Sequence, residues 1–448
     1  MNIREFQKGF LLFVFVTLAV CQSGSLAAAV VVFEISSSTF GQRLQSTTNF
    51  EFVPSVHALA PGDSIVIDGL ISSSMKFEVT RAELSNGHQK YIEATSVNKQ
   101  ILLLNLDGKA IYGSLSGNGT RYTISGNPTT GLQFANQNHP DFPVIDLSHD
   151  AMIPEGMSPK IPGIDQIPQH SLRKLNDAIA EQSEGGRSII RMLFVHSAEF
   201  GSGFSSPTAR INQLVSFTNS SLQRSGIDIE FTVAHIEEIA FNNSLTTSTT
   251  LSQVTNGQGS FSGVPALRDQ HGADMVAVLS FAEGFSSNGV AWVNGSNPDL
   301  AFSSTRLSPN CCDSVFAHEL GHNLGSGHER SSVNPSGASP CTSFNFTGYS
   351  CGHGNIGNGW GTIMSRLNSG VVDDVFSNPS LSCLGEPCGI AQGSSNSADN
   401  FASFNITRSL VAAFRSDPTT ITPVPTTPTG ARSDTVLVGP LLILLLED

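Results

Sequence analysis

Residues 318–329 read His318-Glu319-Leu320-Gly321-His322-Asn323-Leu324-Gly325-Ser326-Gly327-His328-Glu329. On a helix, His318 and His322 stand four residues apart, so their imidazoles leave one face and can share an ion. Glu319 follows His318, within reach of a water on that ion without competing as a ligand. Gly325 is where such a helix must stop, because glycine takes a left-handed turn at little cost. That turn lets His328 approach from a second direction. Three neutral imidazoles leave a fourth position open for water, the arrangement of a catalytic rather than a structural zinc. The expectation is one catalytic Zn2+ on His318, His322 and His328. Glu319 then acts as the catalytic base, taking a proton from the attacking water and delivering it to the leaving group. A structural zinc would leave Glu319 without a purpose.

The elements around this stretch alternate between strands and helices. Ile189 to Val195 is an apolar strand, and Pro207 to Arg224 suits an amphipathic helix with Ile211, Leu214, Val215, Phe217 and Leu222 mostly on one face. Ile227 to Ile239 reads as a strand, Val264 to His271 as a short helix, and Ala273 to Phe281 as a buried strand. The pattern predicts an α/β catalytic domain with a mixed, mostly parallel twisted sheet. The active-site helix is expected over Asp313 to Leu324. Phe302 to Leu307 reads as an edge strand, with extended substrates aligned near Ala301 to Thr305.

Upstream, residues 30 to about 150 read as a β-rich module. Ser64–Ile67 and Ile101–Leu104 are β-branched or apolar runs, and Asn105 to Gly126 looks like a set of hairpins. Residues 151–187 start Pro-rich and end Glu184-Gly185-Gly186-Arg187, which reads as an exposed linker with Arg187 as a processing point. The expected divisions are a signal peptide (1–28), a β-rich region and linker (29–187) and an α/β domain that carries the zinc motif (188–416). A Thr/Pro-rich spacer (417–434) and an apolar tail (435–448) follow.

Bulk properties bear on location. Arg4 and Lys8 precede an apolar run from Phe10 to Val20 and then small residues to Ala29, the order of a secretory signal peptide. Of seven cysteines, only Cys21 lies outside the C-terminal part; Cys311, Cys312, Cys341, Cys351, Cys383 and Cys388 suit three disulfides of an exported protein. Cys383 and Cys388 can close a small loop, while the adjacent Cys311 and Cys312 are each expected to pair elsewhere. A net charge of −14 with no Lys/Arg run excludes a nucleic-acid partner. The chain is expected to be a secreted monomer acting on protein or peptide substrates. The apolar tail Val436–Leu446 is too short to span a bilayer but could serve as a sorting or cell-surface tethering signal.

His318 to His328 resembles the metzincin signature HExxHxxGxxH, which is followed in that superfamily by a Met-turn. Gly361-Thr362-Ile363-Met364-Ser365, thirty-six residues past His328, looks like that turn. The resemblance implies that Met364 forms an apolar floor beneath the histidines. Asn323, Gly289-Val290-Ala291-Trp292 and Phe376-Ser377-Asn378-Pro379 are most similar to the reprolysin or ADAM-like group. It implies a zinc-dependent endopeptidase, made as a zymogen in which the β-rich propeptide and linker (29–187) fold with and inhibit the protease domain (188–416). Departures are Glu329 where reprolysins usually have Asp, Arg366 where astacins and serralysins have a metal-binding Tyr, and Asn288 where a cysteine is usual. Many relatives occupy the metal with a prodomain cysteine; residues 30–187 contain none. Latency must therefore come from steric cover or another ligand. His139, Asp141, His149 and Asp150 are available, but each is expected to be an ordinary loop residue.

Asp313, Asp373 and Asp374 are candidates for a Ca2+ site such as relatives sometimes have, without EF-hand spacing. His353 could touch substrate, but an idle loop histidine is the plainer reading; His196 and His235 read as structural. Two rival functions are a non-catalytic zinc-containing surface or adhesion protein and a zinc amidase on non-protein substrates.

Overall fold

The computed structural model describes residues 30–36, 43–46, 53–68, 74–85, 89–127, 131–137, 150–152, 186–283, 288–309, 311, 313–330, 341, 347–355, 358–365, 371–372 and 374–417. The signal region, the Thr/Pro spacer beyond Asp417, the apolar tail, His139, Asp141, His149, Cys312, Arg366 and Asp373 lie outside them.

Nine strands close a barrel: β1 Val30–Ser36, β2 Arg43–Ser46, β3 Ser64–Asp68, β4 Met75–Ser85, β5 Gln89–Ser96, β6 Ile101–Leu106, β7 Ile111–Gly117, β8 Thr120–Asn127 and β9 Gly131–Asn136. The strands from β3 to β9 form an antiparallel meander, and β1 closes the ring by pairing parallel with β3. Alternate residues point inward, as the two-residue period of a strand requires. Ile65 and Ile67, Phe77 and Val79, Ile92 and Ala94, and Leu102 and Leu104 fill the interior. β6 and β7 are buried on both faces. Their outward Leu103 and Tyr112 belong to the core of the next unit.

The second unit is a six-stranded sheet in the order β10-β14-β15-β13-β11-β12. Its strands are β10 Ala151–Met152, β11 Ser188–His196, β12 Ile229–Glu238, β13 Met275–Phe281, β14 Asn288–Trp292 and β15 Phe302–Leu307. All pairings are parallel except β14 with β15. The fold is thus α+β, a mixed sheet with helices, preceded by a β-rich region.

The strand Phe302–Leu307 is not at the edge. It lies between β13 and β14, and β14 takes the outer position, with β10 beyond it. The short Asn288–Trp292 segment holds four consecutive buried residues, Gly289 to Trp292, so it offers no alternation to mark it as an edge. Ala151 and Met152, read as the start of a linker, are a strand of this sheet.

Among the helices, α1 is Val53–Ala58 in the barrel, and α2 Ala198–Gly203, α4 Thr247–Thr255 and α5 Val264–Gln270 belong to the second unit. The helix α3, Pro207–Arg224, starts with Pro at its first turn, and the Ser206 side chain accepts from the Ala209 N–H. That cap satisfies one of the free amides of a helix start. Its Ile211, Leu214, Phe217 and Leu222 are buried against the sheet and the helix α6, Asp313–Asn323. α3 also meets the barrel. Asn105 Nδ2 donates to Gln213 Oε1 (2.9 Å), Gln213 Nε2 donates to Ser114 Oγ (3.3 Å) and Asn212 Nδ2 donates to Gln89 Oε1 (2.8 Å). Arg121 pairs with the buried Asp374 at 3.2 Å across the same boundary.

Two disulfides, Cys341–Cys351 and Cys383–Cys388, join four of the six C-terminal cysteines to each other. The expectation that Cys311 and Cys312 each pair elsewhere among these six is therefore wrong. Proximity within two short loops, ten and five residues apart, has decided the pairing.

Candidate active site

All eleven residues of α6 are buried, enclosed by β14 and β15 on one side and by α3 on another. A helix covered all round has no polar face to display, so its sequence lacks a clear amphipathic period. Its start is anchored by charge. Asp313, in the first turn, accepts from the fully buried guanidinium of Arg210 and from Gln213 Nε2 at 2.9 Å. An acidic residue there also opposes the positive end of the helix dipole.

The end of α6 is a glycine stop. Gly325 has φ +97°, the Gly325 N–H donates to His322 O (2.9 Å), and the Ser326 N–H donates to Gly321 O (3.0 Å). This pair of bonds with a left-handed residue is the Schellman arrangement. Asn323 Nδ2 donates to Trp292 O and to Phe302 O, both 3.0 Å, which ties the helix end to β14 and β15.

The chain after the glycine brings His328 back to the helix. Ring centroids of His318, His322 and His328 lie 4.7, 4.8 and 5.2 Å apart, and all three residues are at most 1 % exposed. His318 Nδ1 donates to Ile363 O (2.6 Å), and His322 Nδ1 donates to Ser326 O (2.8 Å). With Nδ1 carrying the proton, each Nε2 presents a lone pair to the common centre, the way a backbone carbonyl orients a metal-binding histidine. His328 Nε2 lies 3.1 Å from His322 Nε2. Burial lowers the pKa of His322 and pushes His328 down to about 3, which keeps the rings neutral.

The fourth member was not expected. Asp150, 1 % exposed, places Oδ1 2.8 Å from His328 Nε2 and 3.8 Å from His322 Nε2, and Oδ2 3.2 Å from His318 Nε2. The ligand atoms of Asp150, His318, His322 and His328 all lie within 4.8 Å of one another. Neither Asp150 oxygen accepts an ordinary hydrogen bond from the described residues. Burial alone would raise this carboxyl, and a cation at the common centre of the three Nε2 atoms is what would compensate its charge. Three imidazole nitrogens and one carboxylate oxygen around a point suit a tetrahedral zinc. The reading of Asp150 as a loop residue is corrected. A lone Asp 168 residues before His318 carries no local signal, and only the placement of β10 brings it there.

Glu319 is fully buried, and both its carboxylate oxygens lack hydrogen-bond partners among the described residues. Burial, then the neighbouring charge of Asp150, raises its pKa well above the ordinary value. Its carboxylate packs on β14 at Gly289, where any Cβ would fall 2.2 Å from Glu319 Oε1. Met364 lies in a turn in which the Ser365 N–H donates to Thr362 O (2.8 Å). The Met364 side chain is fully buried beneath α6, and a Cβ on Gly321 would meet its sulfur at 2.2 Å.

The remaining candidates sit apart from this cluster. Asp313 and Asp374 are each paired with arginine. His353 stands edge-on to the buried Trp360 (5.6 Å), His235 stacks on His271 (3.9 Å), and His196 packs on Phe200.

Residues 208–329 match the family model described as "Metallo-peptidase family M12B Reprolysin-like". Three curated relatives share the name peptidyl-Asp metalloendopeptidase. The one from Stenotrophomonas maltophilia (strain R551-3) is 26% identical over 406 residues, covering 87% of this chain and 85% of the relative. The one from Pseudomonas aeruginosa is 26% identical over 234 residues, 46% of this chain and 37% of the relative. That of Stenotrophomonas maltophilia (strain K279a) is 27% identical over 252 residues, 53% of this chain and 55% of the relative.

Proposed function

We propose, for a chain that is a reprolysin-like metzincin zinc metalloendopeptidase, that His318, His322 and His328 hold the zinc and that Glu319 is its catalytic base. The observation that carries this reading is the convergence of three buried imidazoles, two with Nδ1 tied to backbone carbonyls, beside a buried carboxylate. Zinc, when bound, supplies Lewis acidity that polarises the scissile carbonyl and makes water easier to deprotonate.

The chain's own groups do the rest. Glu319 takes a proton from the attacking water on a carboxylate oxygen, then passes it to the nitrogen of the leaving amine. The buried, raised carboxyl of Glu319 is matched to both halves of that task, since it accepts and returns a proton more evenly than an exposed glutamate. β14 is the ledge on which an extended peptide lies, with Glu319 directly beneath it at Gly289. Met364 supports the floor under Gly321.

The N-terminal charged-apolar-small pattern and the two disulfides support export to an oxidising compartment. The barrel region is read as a propeptide. A preference for peptide bonds at aspartate rests on the relatives' names alone; paired peptides differing only in Asp or Ala at one position test it.

The test of the catalytic assignment is Glu319→Gln beside His328→Ala, each given the same limited trypsin treatment. Glu319→Gln should keep its zinc and lose casein hydrolysis by about 10²–10⁴-fold. His328→Ala should lose the zinc itself. Full proteolysis by Glu319→Gln would end the assignment.

A further inference from the structure

Between His322 and His328 the chain bends through Gly325-Ser326-Gly327. Glycine on either side leaves that backbone soft, so Ser326 carries the one side chain by which the bend can be held. Ser326 is fully buried. Its carbonyl accepts from His322 Nδ1 (2.8 Å). Its hydroxyl donates to Gly327 O (2.9 Å), with Ser350 O as a second acceptor at 3.3 Å. Gly327 is joined directly to His328, so one serine touches the supports of two of the three histidines.

That hydroxyl is itself aimed from outside. The helix α7, Asn400–Val411, begins with a fully buried asparagine whose Nδ2 donates to Ser326 Oγ at 2.7 Å. With its oxygen accepting from Asn400, the hydroxyl turns its own proton towards the Gly327 and Ser350 carbonyls.

We propose that Asn400 is a positioning residue for the metal site: through the Ser326 hydroxyl it fixes the bend that aims His322 and His328. The proposal rests on the zinc-site reading given above and makes the C-terminal helix part of the metal centre.

Three observations support it. First, α7 grips the bend along one face. Asn400 bonds Ser326, Ser403 Oγ lies 2.5 Å from Ser350 Oγ, and Thr407 Oγ1 donates to Leu324 O (3.2 Å). Residues spaced three and four apart share a helix face, and all three are fully buried. A buried helix face is ordinarily apolar, so a polar stripe there has a use other than packing. Second, the donor is held still. The Asn400 N–H donates to Ser377 Oγ (2.8 Å), Ser377 Oγ donates to Cys351 O (2.6 Å), and Asp399 caps the helix by accepting from the Ala402 N–H (2.9 Å). Third, Asn400 Oδ1 is buried without a hydrogen-bond partner among the described residues. An unpaired amide oxygen costs stability, so the amide is kept for what its nitrogen donates to.

The experiment uses the full chain and four variants: Ser326→Ala, Asn400→Ala, the two combined, and Phe404→Leu. Phe404 lies in the core on the same helix, edge-on to Phe376, and its replacement controls for simple loss of stability. Each protein is stripped with a chelator. Zinc affinity is then measured by competition with a chromogenic chelator, and the visible spectrum is recorded with Co2+ in place of zinc. Ser326→Ala and Asn400→Ala should each weaken zinc binding by about tenfold or more and shift the cobalt bands. The double variant should lose no more than the weaker single variant, because both changes cut one chain of bonds. Phe404→Leu should lower Tm and keep the wild-type cobalt spectrum.

Wild-type affinity and spectrum in both single variants would overturn the proposal, as would additive losses in the double variant. So would a cobalt spectrum altered equally in Phe404→Leu, since loosened packing would then explain the effect. Failure of the wild-type chain to take up cobalt would instead overturn the zinc-site reading. Ser326→Ala removes a single oxygen, which keeps the test decisive where Asn400→Ala fails to fold.

Discussion

Gly289 lies so close to Glu319 that the first carbon of any side chain would fall 2.2 Å from Oε1 and 2.6 Å from Cδ. The strand and the carboxylate share a space that only hydrogen can occupy. Gly289→Ala must therefore move either β14 or Glu319. Misplacement of a catalytic group by about 1 Å costs on the order of a hundredfold in rate. The expected outcome is a fall of that order in kcat with zinc content unchanged, read by peptide hydrolysis beside metal analysis.

A similar contact below the helix makes a prediction about stability. Replacing glycine by alanine inside a helix ordinarily stabilises by about 1 kcal/mol. At Gly321 the new methyl would sit 2.2 Å from the Met364 sulfur and 3.2 Å from a Phe376 ring carbon. Overpacking of this kind costs about 1–3 kcal/mol, so Gly321→Ala should lower Tm by several degrees. Gly321→Ala with Met364→Leu or a smaller residue should regain part of the loss. A thermal scan of the three proteins checks it.

The pair at the start of the helix gives a third expectation. Arg210 is fully buried, and Asp313 is 2 % exposed. Removing one partner leaves an uncompensated buried charge, which costs about 3–5 kcal/mol. Arg210→Met should thus be strongly destabilising, and Arg210→Met with Asp313→Leu milder than the single change. Urea denaturation midpoints of the single and double variants measure the difference.

Metal retention should depend on pH in an unusual range. Burial holds His328 at about 3 and also lowers His322, so the neutral, ligand-competent rings persist well below the ordinary imidazole value of about 6.5. A depressed folded pKa favours the unprotonated state, and protons displace the metal only when pH falls towards that value. Zinc content after dialysis should hold steady from pH 7 to about 5 and drop as pH approaches about 3. Loss of half the zinc near pH 6.5 would contradict the burial argument.

Much of the protease unit was legible from residue patterns, because its parts are local. The spacing of His318, His322 and His328 predicts a helix and a glycine stop, and both lie within eleven residues. Pro207–Arg224 shows an apolar face because one side of that helix meets solvent or the barrel. The edge of the sheet was misplaced because Ser303, Ser304, Thr305 and Arg306 give Phe302–Leu307 the polar look of an outer strand, although Ser303, Ser304 and Thr305 are buried. Burial on both sides erases the alternation that marks an outer strand. Asp150 was out of reach for a different reason. Its role depends on a strand of two residues, Ala151–Met152, whose place in the sheet comes from long-range pairing that leaves no periodic trace.

The barrel has one more consequence. An open sheet leaves a row of backbone donors and acceptors at each side, and these can recruit a neighbouring molecule's chain. Here β1 bonds to β2 on one side and to β3 on the other, so among the described strands the hydrogen-bonding circuit runs back into itself. Among the described residues, the closed ring leaves fewer free strand edges than an open sheet of the same nine strands. Edge-to-edge pairing between two copies of the barrel is correspondingly disfavoured relative to an open sheet of the same strands.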